Sequence, residues 1–288
     1  MKKIELSAGT VEYDDTGGDG PVLVFVSGLT IDGTVWRHVV ERLVPDFRCI
    51  LPTLPLGAHR IPMRAGADLS LRGLGLLIGE FLEKLDLTDV TLVQNDWGGA
   101  QVLIALGDTS RVGALVLTPC EAFDNYPPGI PGRAIGLAVA VPGGLALTMQ
   151  ALRFRAMRRA PAAWGWMSKR PVPKPVMDGW FRPATTDRRI RRDLRKYTTS
   201  LPSKSTLREW AEGEPALRPA GPRAVGGRGQ GDAPRPRSAT GRAVPARPTA
   251  GGRGQLHVDA RGPPGRGGGG DPGLCGFATR EYFLTARR

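Results

Sequence analysis

The chain has 288 residues, including 40 glycines and 26 prolines, with a formal net charge of +13 and a pI near 10.5. At face value that charge points to nucleic acid or an anionic membrane as partner. However, residues 211–288 hold 13 Arg, 18 Gly and 10 Pro with no Lys, whereas residues 1–210 carry only 27 basic against 21 acidic side chains. The excess belongs to one biased segment, so nucleic acid is not expected as a partner, and with no apolar run long enough to span a bilayer neither is a membrane.

In chain order, Val11–Asp14 and Val22–Val26 read as strands, the second a continuous apolar run of the kind that is buried on both sides. Gly28–Gly33 interrupts the run, and Val35–Leu43 has helical spacing. Phe47–Leu51 is a short strand ending at Pro52. Leu69–Leu85 is an amphipathic helix with its apolar stripe at Leu71, Leu74, Leu77, Ile78, Phe81, Leu82 and Leu85. Val90–Val93 is a buried strand followed at once by the helix Ala100–Leu106, and Ala114–Leu117 adds one more strand. This alternation predicts an α/β fold, a mostly parallel sheet with helices on both faces, over residues 1–125.

From residue 126 to 205 the pattern changes to Pro-punctuated helices without strand runs, which predicts a helical lid. Its basic stretch Arg188–Arg195 reads as a solvated helix face. Residues 206–213 return to the core. Residues 214–288 have no apolar face of any period and read literally as an irregular or disordered tail.

The genetic code offers a second reading of that tail. Shifting the codons forward by one base lets Gly221–Pro234 encode VLVLWGAEDKVMPP, a buried strand followed by an acidic turn. Glu214–Ala220 and Gln255–Gly262 also become ordinary sequence in that frame. Arg without Lys is what GC-rich codons read out of frame would give, so a frameshift is expected near Gly213.

Cys49, Cys120 and Cys275 are too few and too far apart for a disulfide framework or a metal spacing, and no cofactor is expected. The N-terminus lacks the apolar stretch of a signal peptide. The nearest approach to a long apolar run, Ala134–Leu147, is broken by Pro142 and two glycines. A cytoplasmic location is the default expectation, and the oligomeric state is left open.

The residues that could carry chemistry centre on Val93–Ala100, VQNDWGGA, between a buried strand and a helix. A nucleophile elbow needs a sharp strand-to-helix turn with small residues beside it, so that the central side chain projects from the sheet edge. Asp96 holds the central place, and Gly98 and Gly99 give the room. Beside a helix N-terminus its carboxylate is expected to stay ionised, and an Asp nucleophile attacks carbon to form an alkyl-enzyme ester. The plainer alternative is that Asp96 only caps the helix.

At these residues the chain resembles the α/β-hydrolase superfamily, and DWGG is similar to haloalkane dehalogenases and epoxide hydrolases. VLVFV followed by SGLT resembles the superfamily's oxyanion loop, and the resemblance implies that the backbone amides of Leu29 and Trp97 form the hole. It covers residues 8–125 well and the lid loosely. There are departures. Ser27 stands where the family usually has His, Leu29 stands where some dehalogenases hold halide with Asn, and Gln94 occupies a place where a small residue is common. Epoxide hydrolases use lid tyrosines, for which Tyr126 and Tyr197 are the candidates, packing being the plainer role for each.

The resemblance places the catalytic acid at the codon now read as Gly229, with Glu121 as an alternative, although Glu121 and Asp124 read equally as a solvated loop. The general base is the gap. His38 reads as a surface residue, His59 lies in a loop near the site with no motif making it a base, and the His257 codon is not His in the shifted frame. The expected function is hydrolysis of a small, mainly apolar substrate through Asp96, impaired in the chain as it stands. The alternative is a non-catalytic relative that keeps the pocket for binding.

Overall fold

The computed structural model describes residues 1–118, 129–160, 163–166, 168, 170–200 and 202–212. The strands are β1 (Lys2–Leu6), β2 (Gly9–Asp15), β3 (Val22–Val26), β4 (Arg48–Pro52), β5 (Val90–Gln94) and β6 (Val112–Leu117). They form one sheet in the order β1-β2-β4-β3-β5-β6. The β4-β3-β5-β6 part is parallel, and β2 joins it antiparallel through pairs such as Tyr13 with Pro52. β1 was not foreseen: it is an edge strand whose Lys2, Lys3 and Glu5 face solvent, so it carries no apolar run to announce it.

Side chains alternate across the sheet as a period of two requires. Val24, Val26, Ile50 and Leu92 enter the larger core, whereas Leu23, Phe25, Cys49, Leu51 and Val93 enter the smaller one on the opposite face. The larger core is covered by α2 (Leu71–Lys84) and α3 (Ala100–Ala105). Ser70 starts α2 by accepting a hydrogen bond from the Gly73 amide at 3.0 Å. Of the predicted apolar stripe all but Leu85 are buried. The smaller core is covered by a 3-10 turn, Gly33–Trp36, and α1 (Arg37–Leu43), which is shorter than the continuous helix expected from Val35.

Beyond β6 the described residues are helical: α4 (Gly129–Ala140), α5 (Gly144–Ala151), α6 (Arg155–Arg158), α7 (Lys174–Thr186), α8 (Arg188–Thr199) and α9 (Lys204–Glu212). Met149, Trp180, Phe181, Leu194 and Tyr197 from this segment enter the larger core. The basic run on α8 is not simply solvated. Ile190, Asp193, Leu194 and Tyr197 form a buried face, while Arg191 and Arg192 donate to the carbonyls of Ala184 and Met63 at 2.9 and 2.6 Å. The expected tail and its alternative frame lie outside the described residues.

Candidate active site

The turn between β5 and α3 places Asp96 at a φ of 51°, in the left-handed region. That conformation costs a non-glycine residue about 1–2 kcal/mol and persists only where the surroundings fix it. Three features do so. Gly99, at φ 78°, closes the turn. Gly98 has no room for a side chain that would not press on Gln94 and Val26, each 3.1 Å from where its Cβ would stand. Gln94, fully buried, ties the turn to α3. Its Oε1 accepts from the Gln101 amide at 3.0 Å, and its Nε2 donates to the Asp96 carbonyl at 3.3 Å. At this position, where the family more often has a small residue, the Gln94 amide supplies hydrogen bonds that a small residue could not.

Asp96 is not a helix cap. The N-cap of α3 is Gly99, without a side-chain capping bond. The carboxylate turns instead toward the loop after β3, where its Oδ2 accepts the Leu29 amide at 3.0 Å. Burial pushes the Asp96 carboxyl up to about 6, while the Leu29 and Trp97 amides that donate to it pull it down. The carboxyl therefore lies above its ordinary value, while the carboxylate still predominates at neutral pH.

The Leu29 peptide is held from both sides. Its carbonyl accepts the Thr30 hydroxyl at 2.7 Å and the Trp164 indole N–H at 3.2 Å. Thr30, at φ 57°, donates its amide to the Leu56 carbonyl at 2.8 Å. The Leu29 N–H points at Asp96, and the Gly28 carbonyl of the same peptide unit accepts the Ile31 amide at 3.2 Å. Gly28 must be glycine, since a Cβ there would collide with Oδ2 and Cβ of Asp96. Ser27 accepts the Trp36 indole N–H at 3.1 Å and so anchors the start of the loop. Trp97 is buried, its ring 5.9 Å from that of Tyr197, and its carbonyl accepts the Tyr197 hydroxyl at 3.1 Å.

This fold matches solved structures. Haloalkane dehalogenase DatA from Agrobacterium tumefaciens superposes with a TM-score of 0.56 at 19% identity, covering 74% of this chain and 73% of that one. By sequence, a haloalkane dehalogenase from Mesorhizobium japonicum is 28% identical over 149 residues, 49% of this chain and 47% of that protein. The chain shares the α/β-hydrolase fold of these proteins. Its relatives differ in chemistry: a cis-3-alkyl-4-alkyloxetan-2-one decarboxylase from Xanthomonas campestris is 32% identical over 136 residues, 44% of this chain and 45% of that protein. The chain thus matches about half the length of these curated relatives. No protein-family model matches it.

The remaining site candidates separate clearly. Glu121, Asp124, Tyr126 and His257 lie outside the described residues. His38 is exposed on α1, 3.8 Å from Glu41. His59 is buried and committed elsewhere. Its Nδ1 accepts the Gly57 amide at 3.2 Å, which leaves the hydrogen on Nε2, directed at Asp193 Oδ2 at 3.4 Å. Asp193 also accepts the Met63 amide at 2.7 Å and the Arg192 guanidinium at 2.6 Å. Burial pushes the Asp193 carboxyl up, but His59, the Met63 amide and Arg192 outweigh it and hold it below its ordinary value.

Two acids escaped the sequence reading. Asp193 is the lone acid within the basic run of α8, which is the one signal that could have marked it. Asp32 is buried, starts the 3-10 turn by accepting the Thr34 amide at 3.0 Å, and accepts the Trp180 indole N–H of α7 at 3.1 Å. Among the described residues no cluster of His, Cys, Asp or Glu could hold a metal ion, and no helix is long and apolar enough to cross a membrane.

Proposed function

We propose that the protein acts on a small, mainly apolar substrate beneath a helical lid, with Asp96 as nucleophile and the Leu29 and Trp97 amides as oxyanion hole. The observation that carries this is the Asp96 carboxylate, presented at a strained elbow with Oδ2 already bound by the Leu29 amide at 3.0 Å. The other carboxylate oxygen attacks an sp3 carbon of the substrate. A C–O bond forms, and the bond to the leaving group breaks with its electron pair. Water then adds to Cγ of the ester, and the charge that develops falls on the oxygen bound by the Leu29 amide. Collapse of this adduct breaks the Cγ–O bond to the alkyl group, which leaves as the alcohol and returns the carboxylate. That second step requires a base to take the proton of water.

Neither described histidine supports that step, since His38 is at the surface and His59 is committed to Gly57 and Asp193. Glu121 is the candidate acid of this reading. The shifted frame restores an acid-bearing strand after about Gly213 but no histidine at 257, and is tested by the nucleotide sequence across codons 205–235. The lack of a base among the described residues favours a second reading, a non-catalytic binder that keeps the pocket.

Incubation with reactive haloalkane and epoxide probes, followed by intact mass, separates the two. The enzyme reading expects a stable covalent adduct, lost in Asp96→Ala, with little turnover. Reversible binding without an adduct favours the binder. Steady multiple turnover that survives Asp96→Ala overturns the nucleophile assignment.

A further inference from the structure

We infer that the α4–α6 segment is a docking face for an anionic lipid surface, lying on the bilayer rather than spanning it. Most of the large apolar side chains that the described residues leave exposed fall here: Leu137, Val141, Leu147, Phe154 and Met157. Leu137, Leu147 and Phe154 are 69%, 74% and 68% exposed, far beyond what scattered surface leucines need explaining for. Val141, just past the end of α4, still donates its amide to the Leu137 carbonyl at 3.3 Å, which keeps it one turn beyond Leu137. In α5 the opposite side, Leu145 and Met149, is buried in the core, which turns Leu147 outward.

Charge identifies the partner. Between Asp124 and Asp178 the sequence contains no acidic residue, while it contains Arg133, Arg153, Arg155, Arg158, Arg159, Lys169, Arg170 and Lys174. Asp178 is already shared by Arg158 and Lys174. Arg153, Arg155 and Arg159 are exposed and interleave with Phe154 and Met157. Apolar anchors flanked by arginines and lacking acids fit the headgroup boundary of a negatively charged bilayer.

Other occupants fit worse. A second copy would set the same arginines against themselves across a two-fold axis. Residues 211–288 carry 13 Arg against six acids, so the chain's own remainder is repelled as well. Nucleic acid would leave Leu147 and Phe154 without a partner. The expectation of no membrane rested on the lack of a spanning segment, and surface docking is a separate physical matter.

The test is flotation of the full chain with vesicles of phosphatidylglycerol and phosphatidylcholine against phosphatidylcholine alone, over a salt series. Binding is expected on the anionic vesicles, weakening with salt. Leu147→Glu with Phe154→Glu should lower it by at least about tenfold, at unchanged far-UV circular dichroism. Should that variant misfold, Arg153→Gln/Arg155→Gln/Arg159→Gln keeps the apolar side chains and is expected to give a comparable loss. Three outcomes overturn the inference: no preference for anionic vesicles, binding untouched by either variant (which would place it on the arginines of 211–288), or concentration-dependent dimers abolished by Leu147→Glu without vesicle binding.

Discussion

At Asp96 function and stability pull in opposite directions. The folded value of about 6 against an ordinary 3.8 means that folding takes up a proton at this carboxyl. The stabilisation from the protonated form is fully present below 3.8 and is lost as pH rises through about 6. At pH 7.5 the protein therefore carries a carboxylate that its fold disfavours. Asp96→Asn should raise stability there by about 1–3 kcal/mol in urea denaturation while abolishing adduct formation. If Asp96 attacks as proposed, adduct formation in the unaltered protein should rise with pH through a midpoint of about 6 and level off above it, since the attacking form is the carboxylate. A less stable Asp96→Asn at pH 7.5 would contradict the burial argument. The elbow was legible in the sequence because strand, turn and helix are contiguous, so VQNDWGGA contains its whole geometry. What holds Leu29 in place was not legible: the Trp164 indole that fixes its carbonyl comes from 135 residues away.

Among the elements, α8 ties the helical segment to the core. Asp193 bridges His59, the Met63 amide and Arg192, and Tyr197 from the same face reaches the Trp97 carbonyl. The buried Asp193 side chain is thus satisfied on both oxygens, and removing it strips the partners of the Met63 amide and His59 together. Asp193→Ala should cost about 3 kcal/mol, measured by chemical denaturation, whereas Asp193→Asn should recover part of the loss by keeping one acceptor. Equal stability of Asp193→Ala and the unaltered protein would show the bridge to be dispensable. Periodicity found α2 and the parallel strands because their apolar residues repeat locally. It could not find this bridge, whose halves lie 134 residues apart within a loop and a run that reads as solvated charge.

For the whole molecule the open question is the far side of β6. Among the described residues β5 is its one strand neighbour, and every residue from Gly113 to Leu117 is only half buried. On the smaller face α1 leaves Val39 and Val44 exposed. An unpaired, partly apolar strand edge invites pairing with other chains. The protein should therefore self-associate with rising concentration in sedimentation velocity, and a chain translated in the shifted frame after codon 213 should be more monodisperse and melt higher. Identical behaviour of the two would remove the argument for that frame. The α8 bridge also has a meaning in time. Its contacts close loops of 100 to 134 residues, and such loops are the slowest to close. The sheet can pair before α8 arrives, so the peptide after Asp96 acquires its last support only at the end of folding. The cost of Asp193→Ala then falls on faster unfolding rather than slower folding, and the working arrangement around Asp96 is what the chain completes last and gives up first.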